Sequence, residues 1–126
     1  MAVSAVNFTI DKGADFSTAL KIKTDGAVVN LTGYGFSCVM RKHYSSPVGY
    51  AFSTTVLLPE NSGVVRIEMS NAVTTELPTG RHVYDLFTIN LVGVKTKVLE
   101  GNVLVRGSAS NDRGYFKLNN RSRGIN

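Results

Sequence analysis

Hydrophobic and polar residues alternate along most of this chain, with the two-residue period of a β-strand that buries one face. In the clearest example, Val65, Ile67 and Met69 are separated by charged residues. Glycine, proline, asparagine and aspartate cluster between the alternating segments, as expected of turns. No helix longer than the single turn near Ala72 is predicted. The pattern predicts eight strands, over residues 5–10, 16–23, 27–31, 36–41, 50–58, 64–69, 81–90 and 94–105.

The stretch 70–86 predicts how these strands are arranged. Ser70 or Asn71 can cap a short helical turn, and a proline and a glycine then end that turn before a long strand begins. Immunoglobulin-like sandwiches pass between their two sheets by such a turn, often with a tyrosine hydroxyl that fastens the corner. We therefore predict an all-β, Ig-like antiparallel sandwich of about seven to nine strands. The residues predicted to form its structural corner are Leu77, Gly80, Tyr84 and Leu86.

A glycine interrupts the last predicted strand. Gly101 and Asn102 lie between two apolar runs. A glycine inside a strand often marks a β-bulge. We therefore expect Val103 and Val105 to change register at this point.

Length and charge divide the chain into two parts. Its 126 residues suit one domain, and it has no apolar run of the roughly 20 residues that a membrane helix needs. The N-terminus lacks the basic and apolar regions of a secretory signal. Residues 1–105 hold nine Lys and Arg against eight Asp and Glu, whereas residues 106–126 hold five against one. We predict a sandwich domain over residues 1–106 and an extended basic arm over residues 107–126.

The arm is the main candidate for binding a partner. Arginine and aromatic side chains are preferred anchors at protein interfaces, so we expect the arm to lie against another protein subunit. A solvated tail and a nucleic-acid contact are the alternatives, but the aromatics are too few and too closely spaced for stacking on successive bases. The predicted partner-binding residues are Arg113, Tyr115, Phe116, Lys117, Leu118, Arg121 and Arg123.

No catalytic, cofactor or metal site is predicted. Cys38 is the only cysteine, and its alternating surroundings indicate a buried, unreactive thiol. His82 and Asp85 are three residues apart on one strand, so their side chains should face opposite sides of the sheet. Glu100 should lie near Asp85 across two strands, and His43 falls in a loop. We expect ordinary packed or solvated histidines and a protein that is not an enzyme.

Four motifs resemble small β-sandwich virion proteins of tailed bacteriophages, and the N-terminal domains of some baseplate upper proteins share the pattern. The motifs are residues 8–16 (FTIDKGADF), 29–34 (VNLTGY), 77–86 (LPTGRHVYDL) and 99–105 (LEGNVLV). The resemblance covers roughly residues 6–105.

The resemblance implies a non-enzymatic structural protein of the virion, assembled in the bacterial host cytoplasm. It implies multiple copies that dock on the tail or baseplate through other virion proteins, without cofactor or membrane. A capsid decoration or neck protein is the alternative within this class. A stand-alone carbohydrate- or nucleic-acid-binding module is the alternative from another class.

Overall fold

The computed structural model describes residues 4–108, which form a sandwich of β-sheets with one short helix. The all-β sandwich prediction is confirmed. The strands are β1 (Ser4–Ala5), β2 (Phe8–Asp11), β3 (Phe16–Lys21), β4 (Lys23–Thr24), β5 (Ala27–Val28), β6 (Gly35–Arg41), β7 (Gly49–Ala51), β8 (Ser53–Val56), β9 (Val64–Met69), β10 (Gly80–Ile89) and β11 (Lys95–Arg106). The helix α1 spans Asn71–Thr74, and a 3₁₀ turn spans Glu60–Ser62.

The larger sheet is built on the hairpin of β10 and β11. Strand β6 pairs antiparallel with β10 on one side, and β7 pairs with β6. On the other side, β1 and β2 both pair with β11 in the parallel sense, so this sheet is mixed. The predicted antiparallel pairing holds for the other strand pairs of this sheet, and this edge differs from it. Strands β1 and β2 therefore run in the same direction as β11.

The smaller sheet has the order β3-β9-β8, and β4 and β5 form a separate two-stranded hairpin. The sequence predicted one strand over residues 50–58, but this segment is divided between the two sheets. Its first part, β7, pairs with β6, and its second part, β8, pairs with β9. Phe52 lies at the change of sheet, where its buried ring packs against Phe8 and Phe16. Burial of this ring between the sheets explains the division.

The predicted corner carries the chain from one sheet to the other. Strand β9 belongs to the smaller sheet and is followed by α1. The chain then enters β10, the long central strand of the larger sheet. Gly80 has a φ of +110°, a conformation that residues with a Cβ atom rarely adopt. The crossing therefore depends on the glycine at the first position of β10.

The expected bulge at Gly101 was wrong. Gly101 pairs in register with Tyr84, and β11 is continuous through this point. The register shift lies earlier, where Leu86 pairs with Leu99 but Phe87 pairs with Lys97. Gly101 is needed for a different reason, since a Cβ atom there would collide with the backbone carbonyl of Val6.

The core lies between the two sheets and contains four aromatic rings in contact. Phe8 stacks on Phe16 with ring centres 5.1 Å apart, and it lies 4.7 Å from the ring of Tyr84. The fully buried aliphatic and thioether side chains are Ile10, Ile22, Leu31, Met40, Val65, Ile67, Leu77, Leu86, Val103 and Val105. Most of them lie on strands of the two sheets, which explains why the alternating pattern was visible in so many segments.

Candidate interaction surface

Three of the four predicted corner residues, Leu77, Tyr84 and Leu86, belong to the core of the molecule, and Gly80 is half-buried at its edge. Leu77 and Leu86 are fully buried, and Tyr84 is almost so. The Tyr84 hydroxyl donates a hydrogen bond of 2.7 Å to the carbonyl of Val6, in the N-terminal segment. Burial raises the pKa of this hydroxyl well above its usual range. Tyr84 therefore fastens the N-terminal segment to the sheet. The sequence predicted that its hydroxyl would fasten the corner, but the hydroxyl bonds to Val6 and not to the turn.

The turn itself is fastened by the loop between β2 and β3. Ser70 occupies the N-cap position of α1, as predicted, but its side chain makes no capping hydrogen bond. The carboxylate of Asp15 accepts the backbone N–H of Asn71 at 2.7 Å instead. The hydroxyl of Thr74 accepts the N–H of Gly13 at 3.1 Å. The cap is thus supplied from a loop more than 50 residues earlier in the chain.

The groups considered for chemistry are separated in the structure. Cys38 is buried, and the loss of hydration, reinforced by the charge of Asp85, raises the pKa of its thiol to about 12. Such a thiol is unreactive at neutral pH, as the sequence predicted. His43 is exposed in the loop after β6, where its Nδ1 lies 3.1 Å from the Ser46 hydroxyl. His82 faces the core and Asp85 the opposite side, as the strand period predicted.

Asp85 and Glu100 lie opposite each other across β10 and β11, as expected. The Lys97 ammonium lies 3.4 Å from the carboxylate of Glu100 and 3.9 Å from that of Asp85, so it forms ion pairs with both. The same ammonium lies 5.6 Å from the ring centre of Tyr44 and 5.9 Å from that of Phe87. The ammonium offsets one of the two negative charges on the outer face of the larger sheet, so a cross-strand ion pair accounts for the two carboxylates.

Within residues 4–108 no group of three His, Cys, Asp or Glu side chains is placed to hold a metal ion. In the same part of the chain no helix is long and apolar enough to cross a membrane. The seven residues predicted to bind a partner through the C-terminal arm, from Arg113 to Arg123, lie outside the described residues. The arm therefore remains a prediction.

The most unusual surface of the described chain is one end of the sandwich, which we call the apolar end. It is formed by the hairpin tip between β10 and β11, together with the connections around β5 and before β9. Val92 is 83% exposed, Leu58 82% and Leu91 73%. No charged residue occurs between Asp85 and Lys95. The exposed apolar side chains of this end are Val28, Leu58, Leu91, Val92 and Val94.

The hairpin tip is held rigidly by one asparagine. The side-chain oxygen of Asn90 accepts the N–H groups of Val92, at 3.0 Å, and Val94, at 2.9 Å. The backbone of Asn90 also exchanges hydrogen bonds with Val94 and Gly93, and Gly93 adopts a φ of +88°. The backbone N–H groups of Asn90, Val92, Gly93 and Val94 are thus all bonded within the tip, while the side chains of Leu91 and Val92 are exposed to solvent. A surface of this kind is already ordered before it meets a partner.

Neighbouring connections join the tip into one surface. Leu91 lies against Gly33, at a position where a Cβ atom would collide with it. The segment before Gly33 is bound to the 3₁₀ turn, because Leu31 donates its N–H to the Glu60 carbonyl at 3.1 Å. This turn directly follows Leu58 and Pro59. The connections of this end are therefore linked to each other, the tip to the Gly33 segment by side-chain packing and that segment to the 3₁₀ turn by a hydrogen bond.

Sequence reasoning missed this surface. The predicted strands 81–90 and 94–105 leave Leu91, Val92 and Gly93 as the connection between them, which they form, but the pattern does not mark their side chains as a binding surface. The available signal was two large aliphatic residues in a hairpin turn, where asparagine, glycine and aspartate are the usual residues.

No protein-family model and no curated protein sequence matches this chain. Solved structures do resemble it. A variant of the SrpA adhesin from Streptococcus sanguinis is similar with a TM-score of 0.50 and 12% identity, over 82% of this chain and 56% of the adhesin chain. An internalin-like protein of Listeria monocytogenes is similar with a TM-score of 0.43 and 9% identity, over 84% of this chain and 28% of its own.

At 12% identity, the similarity to the adhesin concerns the fold alone. This chain spans little more than half the length of the adhesin chain that it matches. The shared property is a β-sandwich, an architecture that occurs in many proteins of unrelated function.

Proposed function

We propose that this protein is a non-enzymatic structural module that docks on other protein subunits through its apolar end. The observation that carries the proposal is the exposure of Leu91 and Val92 on a hairpin tip whose backbone is hydrogen-bonded to the Asn90 side chain. Large aliphatic side chains held in water cost free energy, which is recovered when a partner covers them. The lack of charge along the hairpin tip is typical of the centre of a protein interface.

The assembly we propose is a bacteriophage virion, with the tail or baseplate as the place of docking. This part of the proposal is supported by the order of the four sequence motifs that resemble phage β-sandwich proteins. All four lie on the sandwich, and residues 77–86 include the crossing between its sheets. A capsid decoration or neck protein would use the same kind of surface on the phage head.

The docking proposal is tested by placing a charge on the apolar end. In Val92→Asp, a carboxylate replaces a side chain that is 83% exposed, so the free protein should fold normally. Burying that carboxylate against an apolar partner should cost at least about 2 kcal/mol, or roughly thirtyfold in affinity. Leu104→Asp is the matched control, because Leu104 is also exposed but lies on the strand β11, outside the apolar end.

The measurement is the amount of each variant in purified phage particles, followed by mass spectrometry of separated heads and tails. We expect the unchanged protein and Leu104→Asp in the tail fraction, and Val92→Asp largely absent from it. Equal incorporation of Val92→Asp and the control would refute docking through the apolar end. Absence of the unchanged protein from both fractions would refute the virion assignment. Its presence in heads alone would place it in the capsid instead of the tail.

A further inference from the structure

A second surface lies at the end of the sandwich where the corner crosses between the sheets. A pocket of about 270 Å³ opens there between the loop after β6 and the start of β10. Its walls are mainly apolar, formed by Pro47, Val48, Tyr50 and Pro78. His82 also lines the pocket, although its side chain is fully buried.

The hydrogen bonding of His82 defines its tautomer. Nδ1 lies 3.1 Å from the carbonyl oxygen of Gly80, which can only accept a hydrogen bond. Nδ1 must therefore carry the proton, and Nε2 of the neutral ring is left with a free lone pair. Nε2 is buried and has no hydrogen-bond partner, and it is the one such side-chain atom among the described residues. An acceptor in this state costs free energy until a donor reaches it.

The charge beside the ring limits which donor can enter. The Lys42 side chain lines the same pocket, and its ammonium lies over Gly80, where the absence of a Cβ atom leaves room for it. Burial, together with the positive charge of Lys42, lowers the pKa of His82, so the ring stays neutral at pH 7. A cationic donor would be repelled by this ammonium, whereas the face of an aromatic ring would be attracted to it.

We propose that this pocket binds a tyrosine side chain of a partner protein, whose ring contacts the apolar walls and whose hydroxyl donates to His82 Nε2. The tyrosine hydroxyl is a neutral donor, and the ring matches walls built from proline, valine and tyrosine side chains. Tyrosine is also among the residues that dominate binding energy when they fill a pocket at a protein interface. The site is separate from the apolar end and does not depend on it.

The test uses the full chain with p-cresol, which is the tyrosine side chain, and toluene, which is the phenylalanine side chain. A second pair of probes, acetyl-Gly-Tyr-Gly-amide and acetyl-Gly-Phe-Gly-amide, adds the peptide backbone that a partner protein would bring. Binding is followed at pH 7.5 by NMR, using the ¹⁵N signal of His82 Nε2. This signal moves upfield when the lone pair accepts a hydrogen bond.

We expect p-cresol and the tyrosine peptide to bind at least about fivefold more tightly than their phenyl counterparts, since a buried acceptor gains its missing partner. Filling the pocket by Val48→Trp should abolish this binding, because Val48 is a wall residue that is 58% exposed. Leu104→Trp, at an exposed position of β11 outside both the pocket and the apolar end, should leave it unchanged.

Three results would overturn the proposal. The first is equal binding of the hydroxylated and phenyl probes, or no binding of either. The second is binding that leaves the Nε2 signal unchanged, which would show that the hydroxyl does not bond to this atom. The third is binding of p-cresol without the tyrosine peptide, which would make the pocket a small-molecule site and exclude a partner protein.

Discussion

Replacing Gly101 by alanine should separate the N-terminal strand from the rest of the sheet. The new Cβ atom would collide with the carbonyl of Val6 and lie too close to the side-chain oxygen of Asn7. The first of these neighbours is backbone, so the collision cannot be relieved by turning a side chain. The segment around Val6 would have to move away from β11.

The size of the effect follows from the hydrogen bonds that meet at this point. The Val6 N–H donates to the backbone carbonyl of Glu100 at 3.0 Å, and the Val6 carbonyl accepts the Tyr84 hydroxyl at 2.7 Å. Asn7 accepts the N–H of Asn102 at 2.8 Å. Losing three such bonds at about 1 kcal/mol each sets the scale of destabilisation at about 3 kcal/mol. The preference of an extended chain for alanine over glycine, about 0.5–1 kcal/mol, reduces the net loss to about 2 kcal/mol.

Gly35→Ala provides the matched control for this experiment. Gly35 also lies in a strand, and a Cβ atom there would make an ordinary contact of 3.6 Å with Ile89. Urea unfolding of both variants, followed by circular dichroism, measures the change in the free energy of unfolding. We expect a loss of about 2 kcal/mol for Gly101→Ala and, from the same preference for alanine, a gain of about 0.5–1 kcal/mol for Gly35→Ala. If the two variants had the same stability, the close approach of Val6 to β11 would not exist in solution.

Two further substitutions test single interactions. Tyr84→Phe removes the donor to the Val6 carbonyl and should lower the free energy of unfolding by about 1–2 kcal/mol. Tyr44→Phe, at an exposed tyrosine, is the control and should change it little. Equal effects of the two substitutions in denaturant melts would contradict the assigned role of the Tyr84 hydroxyl. The pKa of His82 is lowered in the folded protein. Well above about pH 6.5 the ring is neutral in both the folded and the unfolded chain, but below this pH the unfolded chain takes up a proton that the folded chain does not. The free energy of unfolding should therefore fall on acidification from pH 7 to 5.5, by at most about 1.4 kcal/mol per pH unit, and the fall should be smaller in His82→Gln. An unaltered pH profile in that variant would show that His82 titrates normally in the folded protein.

The sequence predicted those features of the fold that depend on neighbours along the chain. The alternation of Val65, Ile67 and Met69 identified both a strand and its buried face. The turn before Gly80 identified the crossing between the sheets. In each case the physical cause, a one-sided burial or a residue with unusual backbone freedom, is contained in a few consecutive residues.

The features that the sequence could not supply depend on residues far apart. The partner of the Tyr84 hydroxyl is 78 positions earlier in the chain, and the cap of α1 comes from a distant loop. Gly101 was read as a bulge because a local pattern does not show which backbone passes beside it. The division of residues 50–58 between two sheets required knowing that the ring of Phe52 enters the core. The apolar end was missed for the same reason, since exposure is a property of the assembled sandwich.

The parallel pairing of β1 and β2 with β11 has a mechanical consequence. Ser4 pairs with Leu99, and the strands then run side by side until Arg106 pairs with Asp11. A pulling force applied through Ser4 and Arg106 would act on these adjacent strands in opposite directions along their length. The backbone hydrogen bonds between the strands, together with the Tyr84–Val6 bond, would then be loaded in shear and would share the force. In a hairpin pulled from its open end, by contrast, the hydrogen bonds would break one at a time. The edge of this sheet is therefore built to resist tension transmitted through the chain.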